Sequence, residues 1–259
     1  MSSNDPGLRR VMVALGFGAP TPLGLDAAVT LAASAAAELH GIFVEDEELI
    51  RVAALPVTRV LGYRSPVRRE ISVEEMEREL GVQARRAEAR FHAAAAQAKL
   101  GSSFRVTRGR VVAQVAAARA EAELVLVDRS RAPLPRNGKK ASLPAALYDG
   151  EESSERVLEA AALLAPRSGG KVAVLATGPG PEAATLAGQR AAAWLRARGV
   201  EPRVMVIGPP TADRILAATR AAGAAALVFR WSAVRERDDL DRLLLEAPLP
   251  IVISGPPGR

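Results

Sequence analysis

The chain has 259 residues, 49% of them hydrophobic and 25% charged, with a formal net charge of +6, no Cys and two His. This size and composition indicate one large globular domain or two of ordinary size, and the missing Cys excludes disulfides, thiolate nucleophiles and Cys-ligated metals. We also expect no zinc site, because His is scarce, and no membrane span, because apolar runs are short. A cytoplasmic location is expected because residues 1–10 are polar, and no nucleic-acid partner is expected because opposite charges are interspersed.

The first half alternates predicted strands and helices. An apolar run at residues 11–15 predicts a strand that ends in the turn Gly16-Phe17-Gly18. Thr21 before Pro22 is a good N-cap and first helical residue, and an Ala-rich helix is expected to run to about residue 39. Later strands are expected at 41–44, 104–106 and 124–127, with a short helix over 111–120.

An insert and a long helix distinguish this half. Residues 46–71 have no counterpart later in the chain. Ser72 and Glu75 form a predicted capping box for a helix over 72–100, about 40 Å long at 1.5 Å per residue, one end of which we expect to project. Its buried face is predicted from apolar residues at helical spacing: Met76, Leu80, Ala84, Ala87 and Phe91.

The second half repeats the pattern, with strands expected at 144–148, 171–175, 204–207, 226–229 and 251–253. Apolar strands alternating with helices predict an α/β fold with parallel sheets covered on both faces. The polar stretch 129–142 is typical of a linker. We therefore predict two tandem doubly wound domains, 1–140 and 141–259, the first of which lacks a fifth strand.

Two segments give the chain a family resemblance. They are Leu39-His-Gly-Ile-Phe-Val-Glu-Asp-Glu-Glu-Leu49 and, at the end of the second half's first strand, Tyr148-Asp-Gly150. The chain resembles tandem universal stress proteins over nearly its whole length. That resemblance implies an adenine nucleotide alpha hydrolase-like fold with strand order 3-2-1-4-5 in each domain and a ligand at the carboxyl ends of the strands.

The sequence departs from that family's phosphate loop. Nucleotide-binding members carry Gly-x2-Gly-x9-Gly followed by Ser or Thr after the fourth strand, where backbone N–H groups bind phosphates. Here no glycine lies between Val127 and Gly138, and none between Phe229 and Gly255. We therefore expect no tight ATP binding and no other cofactor.

The candidate ligand-binding residues are those expected at strand ends. Arg129 could hold an anion, Asp149 matches the family's adenine-side aspartate, and Trp231 either stacks on a ring or simply packs. Gly16-Phe17-Gly18 is either a weak dinucleotide motif or, as we favour, a tight turn. The complete set is Gly16, Phe17, Val44, Gly109, Asp128, Arg129, Ser130, Asp149, Arg230 and Trp231.

No catalytic or metal-binding residues are predicted. His40 and His92 are interpreted as structural or solvent-facing, with no serine or carboxylate evidently beside His40. The acidic run Glu45–Glu48 is either a cation site or, as we favour, a solvated loop that starts a short helix over 49–55.

These features favour a non-enzymatic stress-response or regulatory protein. Its halves would pair as an intramolecular pseudo-dimer or self-associate as a homodimer, and it would act on an unidentified regulatory protein. Two alternatives stay open: an ATP-dependent switch or slow ATPase, and a dimerising scaffold without a small ligand.

Overall fold

The computed structural model describes residues 8–16, 22–54, 59–61, 68–70, 72–128, 143–234 and 236–255. These residues form a nine-stranded sheet with helices on both faces and a separate two-stranded hairpin. Within this part of the chain, no helix is long and apolar enough to cross a membrane.

The first half runs from β1 to β6. Its elements are β1 (Arg10–Leu15), α1 (Pro22–Ser34), β2 (Glu38–Asp46), α2 (Glu47–Ala53), β3 (Arg59–Leu61), β4 (Arg68–Glu70), α3 (Val73–Gln97), β5 (Ser102–Gly109), α4 (Val111–Ala118) and β6 (Leu124–Asp128).

The second half runs from β7 to β11. Its elements are β7 (Leu143–Tyr148), α5 (Glu155–Leu164), β8 (Lys171–Ala176), α6 (Pro181–Arg196), β9 (Glu201–Val206), α7 (Ala212–Ala222), β10 (Ala224–Arg230), α8 (Arg237–Glu246) and β11 (Ile251–Ser254).

The sheet order is β5-β2-β1-β6-β11-β10-β7-β8-β9. Numbered within the second half, its strands stand in the predicted order 3-2-1-4-5. The first half has 3-2-1-4, and no fifth strand occurs among its described residues. Within the nine-stranded sheet, the strands of each half are parallel to one another, whereas β11 pairs antiparallel with β6, Ile253 opposite Val125. The second half's fifth strand thus occupies the edge that the first half leaves open.

This antiparallel junction reverses the strand direction between the halves. The carboxyl ends of β1, β2, β5 and β6 therefore lie at one end of the sheet, and those of β7 to β11 lie at the other. Any ligand site at the strand ends of one half is consequently separated from the equivalent site of the other half.

The expected end of α1 was wrong by five residues. The helix stops at Ser34 because Ala36 takes a left-handed conformation with φ of 51°. Ala36 N–H then donates to Ala33 O at 3.3 Å, and Ala37 N–H donates to Ala32 O at 2.8 Å, which is a Schellman ending. An alanine at this position gave no sequence signal, since glycine is the usual residue there.

The long helix α3 has the predicted capping box and buried face. Ser72 Oγ accepts from Glu75 N–H at 3.2 Å, and a Glu75 carboxylate oxygen accepts from Ser72 N–H at 3.3 Å. The helix ends at Gln97 instead of residue 100. Its first turns do not simply project: Met76 and Leu80 pack with Ala53 of α2, so the insert covers this end of the helix.

Two apolar clusters fill the space on the two faces of the sheet. Helices α1, α3, α5 and α6 cover one face, and α4, α7 and α8 cover the other. Phe43 and Phe91 are buried in the first cluster, and Phe229 is buried in the second. The rest of both cores is mainly Ala, Val and Leu, so helices approach the sheet closely.

Candidate functional site

Asp149 and Arg230 meet at the carboxyl ends of two adjacent strands. Asp149 follows β7, and Arg230 is the last residue of β10, which pairs with β7. An Arg230 guanidinium nitrogen, Nη2, lies 2.7 Å from Asp149 Oδ2. Both side chains are mostly buried, with 22% and 17% of their surfaces exposed. This ion pair occupies the switch point where a doubly wound sheet ordinarily holds its ligand.

Two serines extend the Asp149–Arg230 pair. Arg230 Nη1 donates to Ser153 Oγ at 2.5 Å, and Ser154 Oγ donates to Asp149 Oδ1. Glu151 N–H also donates to Asp149 Oδ1, at 3.2 Å. Both carboxylate oxygens of Asp149 are therefore used inside the protein, in the turn that leads from β7 into α5.

The surroundings of Asp149 favour its ionised form. Burial raises the pKa of this carboxyl, but hydrogen bonds from Ser154, Arg230 and the Glu151 N–H outweigh burial and lower it below the ordinary value of 3.8. Asp149 is consequently a carboxylate at neutral pH, and Arg230 neutralises it.

Trp231, next along the chain, contacts the first half. The Arg119 guanidinium carbon lies 4.4 Å from the centre of the indole ring, a cation–π distance. Arg119 follows α4, so this contact crosses between the halves. Burial lowers the pKa of Arg119. The ring thus packs against a protein cation.

Asp128 ends the first half's fourth strand and lies against a helix N-terminus. The side chain is 3% exposed. A Cβ built on Gly24, the third residue of α1, would overlap the Asp128 carboxylate. Glycine at position 24 therefore allows this carboxylate to approach the first turn of α1, where the helix dipole stabilises negative charge. The carboxyl group of Asp128 therefore occupies the helix N-terminus, the position where a bound phosphate would be stabilised most.

The acidic run after β2 forms ion pairs and a helix cap. Asp46 accepts from Glu48 N–H at 3.1 Å and caps α2. The expected short helix is present, but it spans Glu47–Ala53 instead of residues 49–55. The expected solvated loop is wrong, because Glu45 and Asp46 end β2 and Asp46 is buried. Arg108 donates to Glu45 at 3.1 Å and to Glu77 at 2.9 Å, while Arg110 pairs with Glu48 at 3.0 Å. In the described part of the chain, no three acidic or His side chains are grouped closely enough to hold a metal ion.

Three other described candidates lie toward the carboxyl ends of β1, β2 and β5. Val44 is buried in β2 and Gly109 ends β5 with φ of 151°. Gly16 directly follows β1. Phe17, Arg129 and Ser130 lie outside the described residues.

One group was missed by sequence reasoning, which placed no serine or carboxylate beside His40. His40 Nδ1 lies 2.7 Å from Ser103 Oγ, and His40 Nε2 lies 3.1 Å from Glu38 Oε2. Ser103 lies 63 residues after His40 in the sequence, because it is on β5. Only the β2–β5 register, which puts His40 opposite Ser103, reveals the group.

Comparison with known proteins identifies the fold. No protein-family model and no curated protein matches the chain. A universal stress protein from Archaeoglobus fulgidus DSM 4304 superposes with a TM-score of 0.56 at 12% identity, over 94% of this chain and 96% of its own.

Two other solved structures are less similar. A putative universal stress protein from Pseudomonas aeruginosa UCBPP-PA14 has a TM-score of 0.46 at 12% identity, covering 96% of this chain and 94% of its own. A shorter Archaeoglobus fulgidus universal stress protein, in complex with dAMP, has a TM-score of 0.37 at 22% identity, covering 44% of this chain and 97% of its own. The full-length likeness to the first structure confirms a tandem universal-stress-protein fold.

Proposed function

We propose that the chain is a universal-stress-protein-like regulatory protein that binds no ATP tightly and catalyses no reaction at its strand-end clefts. The observation that carries this proposal is the Asp149–Arg230 ion pair, 2.7 Å long, at the carboxyl ends of β7 and β10. An arginine bonded to Asp149 and Ser153 takes the place of the glycines that bind phosphate in the family that the chain resembles.

Nucleotide binding in the second half would have to break existing bonds. A base approaching Asp149 would compete with Arg230, Ser154 and the Glu151 N–H for the carboxylate. Removing one partner of a buried charge pair costs about 3–5 kcal/mol. Because the glycines that present backbone N–H groups to phosphate are missing, few new phosphate contacts offset that cost.

Asp128 supports the same conclusion in the first half. Its buried carboxyl group lies at the first turn of α1, at the end of the strand after which the family carries its phosphate loop. A polyphosphate at this helix N-terminus would have to displace that carboxyl group.

We further propose that the two halves act as an intramolecular pseudo-dimer joined through β6 and β11. A regulatory partner, a cytoplasmic location and the absence of nucleic-acid binding stay predictions. Sedimentation of the intact chain tests the pairing: a single species of 27.2 kDa supports it, whereas a stable homodimer supports the alternative.

A thermal-shift screen of the full chain distinguishes the three functional hypotheses. The proposal predicts no stabilisation by Mg·ATP at concentrations that saturate ordinary ATP-binding proteins. A ligand that binds only the folded state at 100 times its Kd adds about 2.7 kcal/mol. A shift of that size with Mg·ATP would establish the nucleotide switch instead, and stabilisation by another metabolite would exclude the pure scaffold.

A further inference from the structure

Ser103, His40 and Glu38 form a continuous hydrogen-bonded chain. The imidazole bridges the serine hydroxyl at 2.7 Å and the carboxylate at 3.1 Å. When His40 Nε2 carries the proton and donates to Glu38, Nδ1 presents its lone pair to the Ser103 hydroxyl. This is the arrangement of a nucleophile, a general base and a group that orients the base.

The backbone of the sheet imposes this geometry. Glu38 and His40 are two residues apart on β2, so their side chains lie on the same face of the sheet. The parallel register places Ser103 of β5 directly beside His40. Arg10 lies opposite Glu38 on β1, with its Nε 3.9 Å from Glu38 Oε2. The three side chains are thus placed by two adjacent strands, β2 and β5, instead of by flexible loops.

The group is open to solvent and is distant from the first half's ligand cleft. Ser103 is exposed, and His40 exposes 25% of its side chain. Both lie toward the amino ends of β2 and β5, whereas the cleft lies at the carboxyl ends. A small substrate can therefore reach the hydroxyl without displacing any packed residue.

The edge strand also supplies a backbone donor beside the hydroxyl. Leu39 N–H donates to Gly101 O at 2.9 Å. With the parallel register, this bond directs the N–H groups of Ser103 and Arg105 toward β2 and that of Phe104 toward the open edge. The Phe104 N–H, adjacent to the nucleophile, is available to an oxyanion that develops on the substrate.

We propose that Ser103, His40 and Glu38 form a second site, at which Ser103 acts as a nucleophile toward short acyl esters. Ser103 Oγ attacks the carbonyl carbon while His40 Nδ1 takes its proton. The C–O bond to the alcohol breaks, and the alcohol leaves with that proton. His40 then takes a proton from water, whose oxygen attacks the acyl carbon. The bond from that carbon to Ser103 Oγ breaks, the carboxylic acid leaves, and His40 returns the proton to Ser103 Oγ. Short acyl groups are specified because Arg10, Glu38 and Arg105 surround the site with charge.

This inference is independent of the proposal for the strand-end clefts, because it uses other residues at other strand ends. Ser103 and His40 are the catalytic residues, and Glu38 is a positioning residue that acts through His40. Failure of either proposal leaves the other unchanged, since ATP binding does not involve this group.

Covalent labelling of the full chain with a fluorophosphonate tests the site. The expected result is selective modification of Ser103, in which a P–O bond forms, fluoride leaves and His40 takes the proton. Ser102 is the matched control, because it is exposed on the same strand but its side chain points to the other face. Equal modification of Ser102 and Ser103 in the unaltered protein would overturn the proposal without any variant.

Three substitutions extend the test. His40→Gln should slow both labelling and p-nitrophenyl acetate hydrolysis about 100-fold, the usual size of a general-base contribution, and Ser102→Ala should change neither. Glu38→Gln should lower the maximal acylation rate without changing the half-saturating ester concentration, a split that a merely structural role would not give. Unchanged labelling of Ser103 in His40→Gln would also overturn the proposal.

Discussion

At the scale of single residues, close contacts explain which side chains the chain can tolerate. Gly24 lies in the first turn of α1 with the Asp128 carboxylate where its Cβ would be. For Gly81, in α3, the described side chains place only an Arg85 guanidinium nitrogen within 4 Å of the Cβ position, at 3.7 Å. The two helical glycines therefore differ in what surrounds them, although their sequence contexts do not reveal it.

Gly24→Ala should destabilise the protein, although alanine is ordinarily the better helix former. Overlap with a buried side chain costs about 1–3 kcal/mol. Gly81→Ala is the control and should stabilise by about 0.5–1 kcal/mol, because it gains helix propensity without a clash. Urea unfolding of both variants checks this. Equal stabilisation by the two substitutions would show that Asp128 does not press on Gly24.

Asp149→Asn should lower the unfolding free energy at pH 7 by about 1–3 kcal/mol, since it weakens bonds to Arg230 and Ser154. The pKa of Asp149 is lowered in the folded state, so its stabilisation is complete above the ordinary value of 3.8 and is lost as the pH falls through the lowered value. The gap between the two proteins should accordingly narrow below pH 3.8. A gap that stays constant down to acid unfolding would contradict this assignment.

Sequence reasoning reached Asp149 and Arg230 separately but not their ion pair. Each was expected at a strand end, and the pairing depends on β7 lying beside β10. Ser103 and His40 were missed for a similar reason, because β-sheet register is a tertiary property. The residue pattern along one strand shows which of its side chains lie on the same side of the sheet. It does not show which residues of the neighbouring strand lie beside them.

At the scale of elements, strands were predicted well and helix ends less well. Uninterrupted apolar runs identify buried strands such as β6, since such a sheet is covered on both faces. The predicted ends of α1 and α3 lie too far along the chain, because the left-handed residues that follow these helices are Ala36 and Lys99 instead of glycine. Ala-rich sequence continues past both helices and hides the ends.

Ala36→Gly and Lys99→Gly should each stabilise the protein by about 0.5–1 kcal/mol. Both residues have positive φ, 51° and 57°, which an L-residue adopts at a cost of about 1 kcal/mol and glycine adopts freely. Gly223→Ala is the opposite control, because Gly223 ends α7 with φ of 65°. This substitution should destabilise the protein. Thermal unfolding measures all three, and destabilisation by both glycine substitutions would exclude this account of the helix ends.

At the scale of the whole molecule, the junction between β6 and β11 determines how the halves depend on each other. Val125 and Ile253 are fully buried there, and Arg119 contacts Trp231 across the same boundary. The missing fifth strand was predicted from the sequence. Its consequence, a sheet shared by both halves, depends on which edge β11 occupies, and that has no local sequence signature.

The intact chain should consequently unfold in one transition, with calorimetric and van't Hoff enthalpies that agree. Ile253→Ala should lower the unfolding free energy by about 2–4 kcal/mol and keep a single transition, because it leaves a cavity in the shared core. Scanning calorimetry of both proteins checks this. Two resolved transitions in the unaltered chain would show that each half is stable without the junction.

We propose that internal side chains, Arg230 and Asp149 above all, occupy the place of a nucleotide. Isothermal titration of the full chain with Mg·ATP at neutral pH tests this proposal. We expect no saturable heat of binding up to about 1 mM ATP, a Kd that corresponds to only about −4.1 kcal/mol. Saturation with a Kd near 1 μM, about −8.2 kcal/mol, would contradict it.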